Sequence, residues 1–277
     1  MTDQSPPPLD EAIHAYYDNA PEETRLAVGP GKLEEHRTRE LILRHAPPPP
    51  LTVLDVGGAA GAYAFWLAER GYDVRLVDAS RRLVDVARAR NERTERRLTS
   101  CDVGDARALA AANESAGMML LLGPLYHLVE VSDRQVALSE AHRVLRPGGV
   151  VVVAGISRFA STLDGLVRQL LGDADFRRIA ARDLLDGRHQ NRSQRLDYFT
   201  TAYFHRPEEL HREVASAGFE VVGLFGVEGP GWLLSNFDDQ WNDPMGRETL
   251  LYVARVLESE PSVLGSSAHL IVVGRKP

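Results

Sequence analysis

One short stretch limits what this chain can fold into. Residues 53–71 read VLDVGGAAGAYAFWLAERG. A β-branched run ends near the acid Asp55. Five small residues follow, Gly57, Gly58, Ala59, Ala60 and Gly61, and then an apolar helical pattern closes at Gly71. Small residues let a chain turn sharply from strand to helix, and they let a ligand approach the backbone. The free N–H groups of the helix start then face the space beyond the carboxyl end of the strand. The stretch predicts a strand–turn–helix unit that holds something polar at its turn. A compact turn with no ligand is the other reading.

The unit belongs to a longer alternation. Strand patterns read LTVLDV, DVRLVD, RRLTSC, GMMLLLG, VVVVAGI, FEVVGLFGV and HLIVVGR. Helical patterns such as SRRLVDVARARNE and RPEELHREVASAG lie between them. In SDRQVALSEAHRVL, Ser132 and Gln135 fit a capping box. This order predicts an α/β fold of Rossmann-like type. Its seven-stranded sheet is mostly parallel, with one reversed strand at the edge and helices on both faces. The proline run Pro47–Pro50 marks a boundary. Residues 1–46 read as an N-terminal helical cover, and 51–277 as the main domain. Within that domain, about 157–203 breaks the alternation as a mostly helical insertion above the strand ends.

Composition narrows the partners. The 277 residues carry a net charge of −7, so the chain shows no basic footprint for nucleic acid. Arg81, Arg88 and Arg96 lie among acids and read as a solvated helix face. Cys101 stands alone, which excludes an internal disulfide and a multi-cysteine zinc site. There is no HExxH and no Cys/His cluster, so no metal is expected. The start, MTDQSPPPLDEA, lacks the basic and apolar parts of a signal peptide, and no apolar run reaches membrane-spanning length. A cytoplasmic protein without a membrane partner is expected, as a monomer or homodimer.

The glycine turn fits the dinucleotide pattern G-x-G-x-x-G poorly, but it fits Asp55-x-Gly57-x-Ala59-x-Gly61. In this the chain resembles the class I S-adenosylmethionine-dependent methyltransferases of bacterial small-molecule type, whose first motif is D-x-G-x-G-x-G. Ala59 replaces the middle glycine. LVDAS, CDVGDARAL and LRPGGVVVV follow in the family's order. The resemblance is close from about Leu51 to Gly155 and looser elsewhere.

That resemblance implies S-adenosyl-L-methionine as cofactor. Asp55, Gly57, Gly58, Ala59 and Gly61 would hold its amino-acid end. Asp78, with Ala79, would hold the ribose, and Asp105 and Ala106 would lie along the adenine. Leu122 would line the same site, and Tyr17 and Arg25 of the N-terminal segment would close over it. The implied reaction is methyl transfer to an O, N or C atom of a small molecule, in secondary metabolism.

The acceptor should meet the methyl beyond the fourth strand, at Gly123-Pro124-Leu125-Tyr126-His127. His127 is the candidate general base, or else an orienting histidine. Tyr126 flanks the methyl or packs beneath the cofactor. Arg158 either binds a polar group of the substrate or forms a salt bridge. Tyr16 and Trp232 are candidate substrate contacts, with core packing as the alternative. His189, Tyr203 and His205 are weaker ones, and His269 reads as structural. Three other functions stay open: an RNA or protein methyltransferase, a cofactor-binding regulatory protein without catalysis, and a dehydrogenase.

Overall fold

The computed structural model describes residues 10–193 and 195–277. The first nine residues of the expected cover lie outside the described residues. In chain order the elements are α1 (Glu11–Asn19), α2 (Gly31–His45), β1 (Thr52–Val56), α3 (Ala62–Ala68), β2 (Asp73–Asp78), α4 (Arg81–Asn91), β3 (Ser100–Val103) and β4 (Ala116–Leu121). Then come α5 (Pro124–His127), α6 (Val131–Val144), β5 (Leu145–Ser157), α7 (Ala160–Val167), α8 (Ala174–Asp186), β6 (Arg188–His189) and β7 (Ala202–His205). The chain closes with α9 (Pro207–Ser216), β8 (Glu220–Gly226), α10 (Phe237–Asn242), α11 (Pro244–Leu257) and β9 (His269–Arg275).

The main sheet runs β3-β2-β1-β4-β5, all parallel, and continues through β9 to β8. β9 is antiparallel to both β5 and β8. The reversed strand is therefore one in from the edge, and β8 is outermost. The reason is burial. HLIVVGR is apolar almost throughout, and Leu270 to Val273 are buried on both faces. β8 is the more exposed of the two, with half-exposed Val222, and suits an edge.

Alternation along each strand divides the core. Val53, Met118, Leu120, Val150 and Val152 face Phe65 and Trp66 of α3 on one side. Leu54, Val56, Met119, Leu121, Val151 and Val153 face Ala137, Leu138 and Ala141 of α6 on the other. Burying each such side chain contributes roughly 1.5–3 kcal/mol. α6 begins at Val131 with Glu130 as its N-cap and no side-chain cap bond, so the Ser132–Gln135 capping box does not form. Gln135 donates instead to the Glu213 carbonyl of α9 at 3.2 Å, which ties two helices together.

Strand order reverses between β1 and β4, so the sheet has a crevice at the carboxyl ends of these strands. Register places the site there. Val56 sits beside Val77 and Leu121, which brings the turn after β1 next to Asp78 and Leu122. The short pair β6–β7 extends the sheet beyond the end of β4, with β7 parallel to the last residues of β5.

Candidate functional site

The glycine turn is built from left-handed backbone. Gly57 has φ +73, and a Cβ there would lie 2.5 Å from Pro124 Cδ. Ala59 also has a positive φ, 48, which costs an alanine on the order of 1 kcal/mol. Its N–H donates to Asp78 Oδ2 at 2.8 Å, and Ser80 N–H donates to Asp78 Oδ1 at 2.8 Å. One carboxylate thus fixes the turn and the start of α4 together. Ala59→Gly is expected to leave cofactor affinity unchanged and to keep or slightly raise the melting temperature. Weaker binding, read by calorimetry, would make the alanine methyl a ligand contact.

The turn walls a cavity of about 180 Å³. Tyr17, Arg25, Asp55, Gly57, Gly58, Ala59, Asp78, Ala79, Asp105, Ala106, Leu122, Tyr126 and His127 all line it. Gly61 does not reach the wall. It is the N-cap of α3 at φ 87, where a Cβ would strike the Phe65 ring at 2.8 Å, so it serves packing. Asp55 is buried, and its Oδ2 has no hydrogen-bond partner among the described residues. Burial, reinforced by the nearby Asp78 charge, pushes Asp55 up to about 7. Asp105 accepts from the backbone N–H, Nε and Nη2 of Arg107 at 2.8, 3.0 and 2.7 Å, so its carboxylate is anchored within its own loop.

A second cavity of about 410 Å³ lies alongside. Both cavities share Tyr17, Glu22, Arg25 and Tyr126 as walls. Tyr16, Trp232, His189, Tyr198, Phe199 and Phe204 line the second one. Much of its wall, including Ala160, Phe176, His189, Tyr198 and Phe199, comes from the 157–203 segment. Trp232 is anchored by its Nε1–H to the Ser266 carbonyl at 2.8 Å.

Tyr17 and His127 meet between the cavities. His127 Nδ1 lies 3.2 Å from the Thr201 carbonyl, which only accepts, so Nδ1 carries the proton. Nε2 then accepts from the Tyr17 hydroxyl at 2.7 Å. Burial lowers His127 to about 4, so the ring is neutral near pH 7.

Arg158 is corrected by its surroundings. It is 3% exposed and lines neither cavity. Its guanidinium bonds Glu209 at 2.6 Å, the Phe204 carbonyl at 2.6 Å and Tyr203 at 3.1 Å. These partners make it the salt bridge, binding β5 to α9, rather than a substrate contact. His205, fully buried against Glu213, is likewise part of that packing.

One cluster escaped the sequence reading. Ligand-type atoms of Glu34, Glu228 and His269 lie within 4.8 Å of one another. They are already bonded among themselves: Arg25 grips both Glu34 oxygens at 2.6 and 2.9 Å, and His269 Nδ1 lies 2.6 Å from Glu228. Burial alone would lower His269, but Glu34 and Glu228 overcome it and raise the ring to about 9. The assembly arises because β9 runs backwards. Its first residue pairs with Ile156, at the same end of the sheet where β8 delivers Glu228. A histidine opening a reversed strand was the signal available in the sequence.

A family described as "Methyltransferase domain" matches residues 53–149. Methyltransferase GfsG of Streptomyces halstedii is 38% identical over 107 residues, which span 38% of this chain and 37% of that protein. The ubiquinone biosynthesis O-methyltransferase of Sinorhizobium medicae is 28% identical across 79% of this chain and 77% of its own length. The tRNA 5-carboxymethoxyuridine methyltransferase of Escherichia coli is 27% identical across 67% of this chain and 66% of its own. A crystal structure of an S-adenosylmethionine-dependent methyltransferase from Mesorhizobium loti superposes with TM-score 0.58 at 18% identity, covering 88% of this chain and all of that one. This last likeness concerns the fold.

Proposed function

Since this chain is a class I S-adenosyl-L-methionine-dependent methyltransferase, we propose that it methylates a hydroxyl oxygen of a small, ring-bearing acceptor held in the second cavity. The observation that carries this reading is the shared wall: Tyr17, Glu22, Arg25 and Tyr126 border both cavities. An acceptor in one is thereby set beside a cofactor in the other. Rings such as Tyr16, Tyr198, Phe199 and Trp232 suit a flat apolar molecule. The net charge of −7 opposes a polyanionic acceptor such as tRNA.

The chain's residues fit the cofactor. The unpartnered, buried Asp55 Oδ2 suits an ammonium group, and the Asp78 carboxylate at the end of β2 suits ribose hydroxyls. Small residues at 57–59 admit the ligand to the backbone. When bound, S-adenosyl-L-methionine supplies an electrophilic methyl on a sulfonium. Tyr17 and His127 manage the acceptor proton. The Tyr17 oxygen accepts it while passing its own proton to His127 Nε2, which the Thr201 carbonyl keeps unprotonated and correctly turned. The low affinity of the buried ring for a proton returns it to solvent once product leaves. Proximity of the two bound molecules supplies much of the remaining rate.

The same proposal keeps residues 10–46 as a cover and 157–203 as a lid, a biosynthetic role in secondary metabolism, a cytoplasmic setting and a monomer or homodimer. Among the described residues no helix is long and apolar enough to cross a membrane.

The test is calorimetry with S-adenosylmethionine and S-adenosylhomocysteine, then transfer of labelled methyl to a panel of small phenols and, separately, to bulk tRNA. Micromolar binding and labelled phenol are expected. Label in tRNA alone would overturn the acceptor class, and binding without any transfer would favour a regulatory protein.

A further inference from the structure

His269 stands on the wall of the second cavity, yet nothing in the reaction above uses it. Its ring is oriented from behind. Nδ1 lies 2.6 Å from Glu228 and 3.7 Å from Glu34. Glu228 is itself held by the Ser267 hydroxyl at 2.6 Å and the His269 backbone N–H at 3.0 Å. Glu34 is held by Arg25. With its Nδ1 committed to carboxylates, the ring of this wall residue keeps one more donor, Nε2–H, with no bond to any described residue.

We propose that His269 Nε2–H is a fixed donor to the acceptor molecule, selecting compounds that offer a neutral carbonyl oxygen as well as the hydroxyl to be methylated. This rests on the second cavity being the acceptor site. The charge balance favours a neutral oxygen over a carboxylate. Glu22, Glu34 and Glu228 face Arg25 and His269, and Arg168 on the same wall is paired with Asp164 at 3.0 Å, so carboxylates outnumber cations and no surplus positive charge remains to attract an anion. A donor that cannot find an acceptor in a dry pocket stays unpaired, so a ligand lacking the oxygen is rejected. The hydroxyl faces Tyr17 and the carbonyl faces His269, and the aromatic rings between them fill the space.

The probes are 3- and 4-hydroxyacetophenone and the matching ethylphenols, in which a methylene replaces the carbonyl. Binding is read by calorimetry with S-adenosylhomocysteine present, and turnover by labelled methyl. The wild-type chain is expected to prefer at least one ketone over its ethylphenol by tenfold or more in Kd or kcat/KM. His269→Asn keeps a donor near the Nδ1 position and removes the one at Nε2, so it should erase the preference while cofactor affinity holds. His269→Gln, whose amide reaches the Nε2 position, should restore part of it. Equal handling of ketone and ethylphenol by the wild type overturns the inference whether or not the variants fold. If phenols of both kinds bind and react without discrimination, His269 alone has been misread. If none binds, the assignment of the second cavity fails with it.

Discussion

Between pH 8 and pH 6 the chain is expected to lose about tenfold in affinity for S-adenosylmethionine, and Asp55→Asn is expected to remove that dependence. The cause is the state of one buried carboxyl. Asp55 is 1% exposed, Oδ2 lacks a partner, and burial with the Asp78 charge sets it near 7 in the free protein. An ammonium beside it favours the carboxylate, so binding at pH 6 must first displace a proton that is absent at pH 8. Stability moves the opposite way. A carboxyl whose folded value is raised stabilises the fold at low pH and loses that contribution as pH rises through about 7. His269, raised to about 9, acts in the same direction at higher pH. Relative to Asp55→Asn, which lacks this titration, the ligand-free melting temperature of the wild type should fall from pH 6 to pH 8 while its cofactor affinity rises. Asp55→Asn should bind about tenfold or more weakly at pH 8, with a flat profile. Asp78 is a poorer probe, since removing it also frees Ala59 and Ser80. Calorimetry in buffers of different ionisation enthalpy counts the released proton, and a flat wild-type profile with none released would remove Asp55 from the ammonium site.

What could be read from the sequence was whatever is local. The small residues after β1 and the acid ending β2 are separated by one helix, and a parallel βαβ unit fixes where they meet. Hence the turn and the acid could be read as neighbours from the pattern, and the family resemblance gave Gly57, Ala59 and Asp78 one shared ligand. Tyr17 and His127 were each legible as candidates, but not as partners. Their 2.7 Å bond joins residues far apart in the chain, and depends on how α1 lies across the strand ends. Arg82 secures that position, bonding the Tyr17 carbonyl at 2.7 Å and also the Glu23 carboxylate. Arg158 misled because an arginine after a strand suits a ligand and a salt bridge equally, and only Glu209 decides between them. The Glu34–Glu228–His269 cluster draws on α2, the segment after β8 and the start of β9. No periodicity joins those positions. The reversal of β9 does, and its place inside the sheet rather than at the edge was the part of the topology that pattern alone left unset.

Tyr17→Phe is expected to lower turnover by about a hundredfold while cofactor affinity stays within about threefold. The hydroxyl it removes bonds His127 Nε2 and belongs to a residue on the wall of the second cavity, and in the proposed mechanism it is the group through which the acceptor's proton would reach the ring. The substitution leaves Nε2 buried without a donor, so a drop in melting temperature worth about 1–3 kcal/mol should accompany it. Stability alone cannot distinguish a relay from a packing contact, but the acidity of the acceptor can. A phenol that ionises near neutral pH needs little help in losing its proton, whereas an alkyl-substituted phenol needs a base. The penalty of Tyr17→Phe should therefore shrink toward unity across a series from ethylphenol to nitrophenol, and the residual rate on the weaker acids should climb with pH. His127→Gln should reproduce the same slope, because it removes the proton's destination while leaving the tyrosine in place. A penalty independent of acceptor acidity in both variants would show that the pair holds α1 against the strand ends and carries no proton.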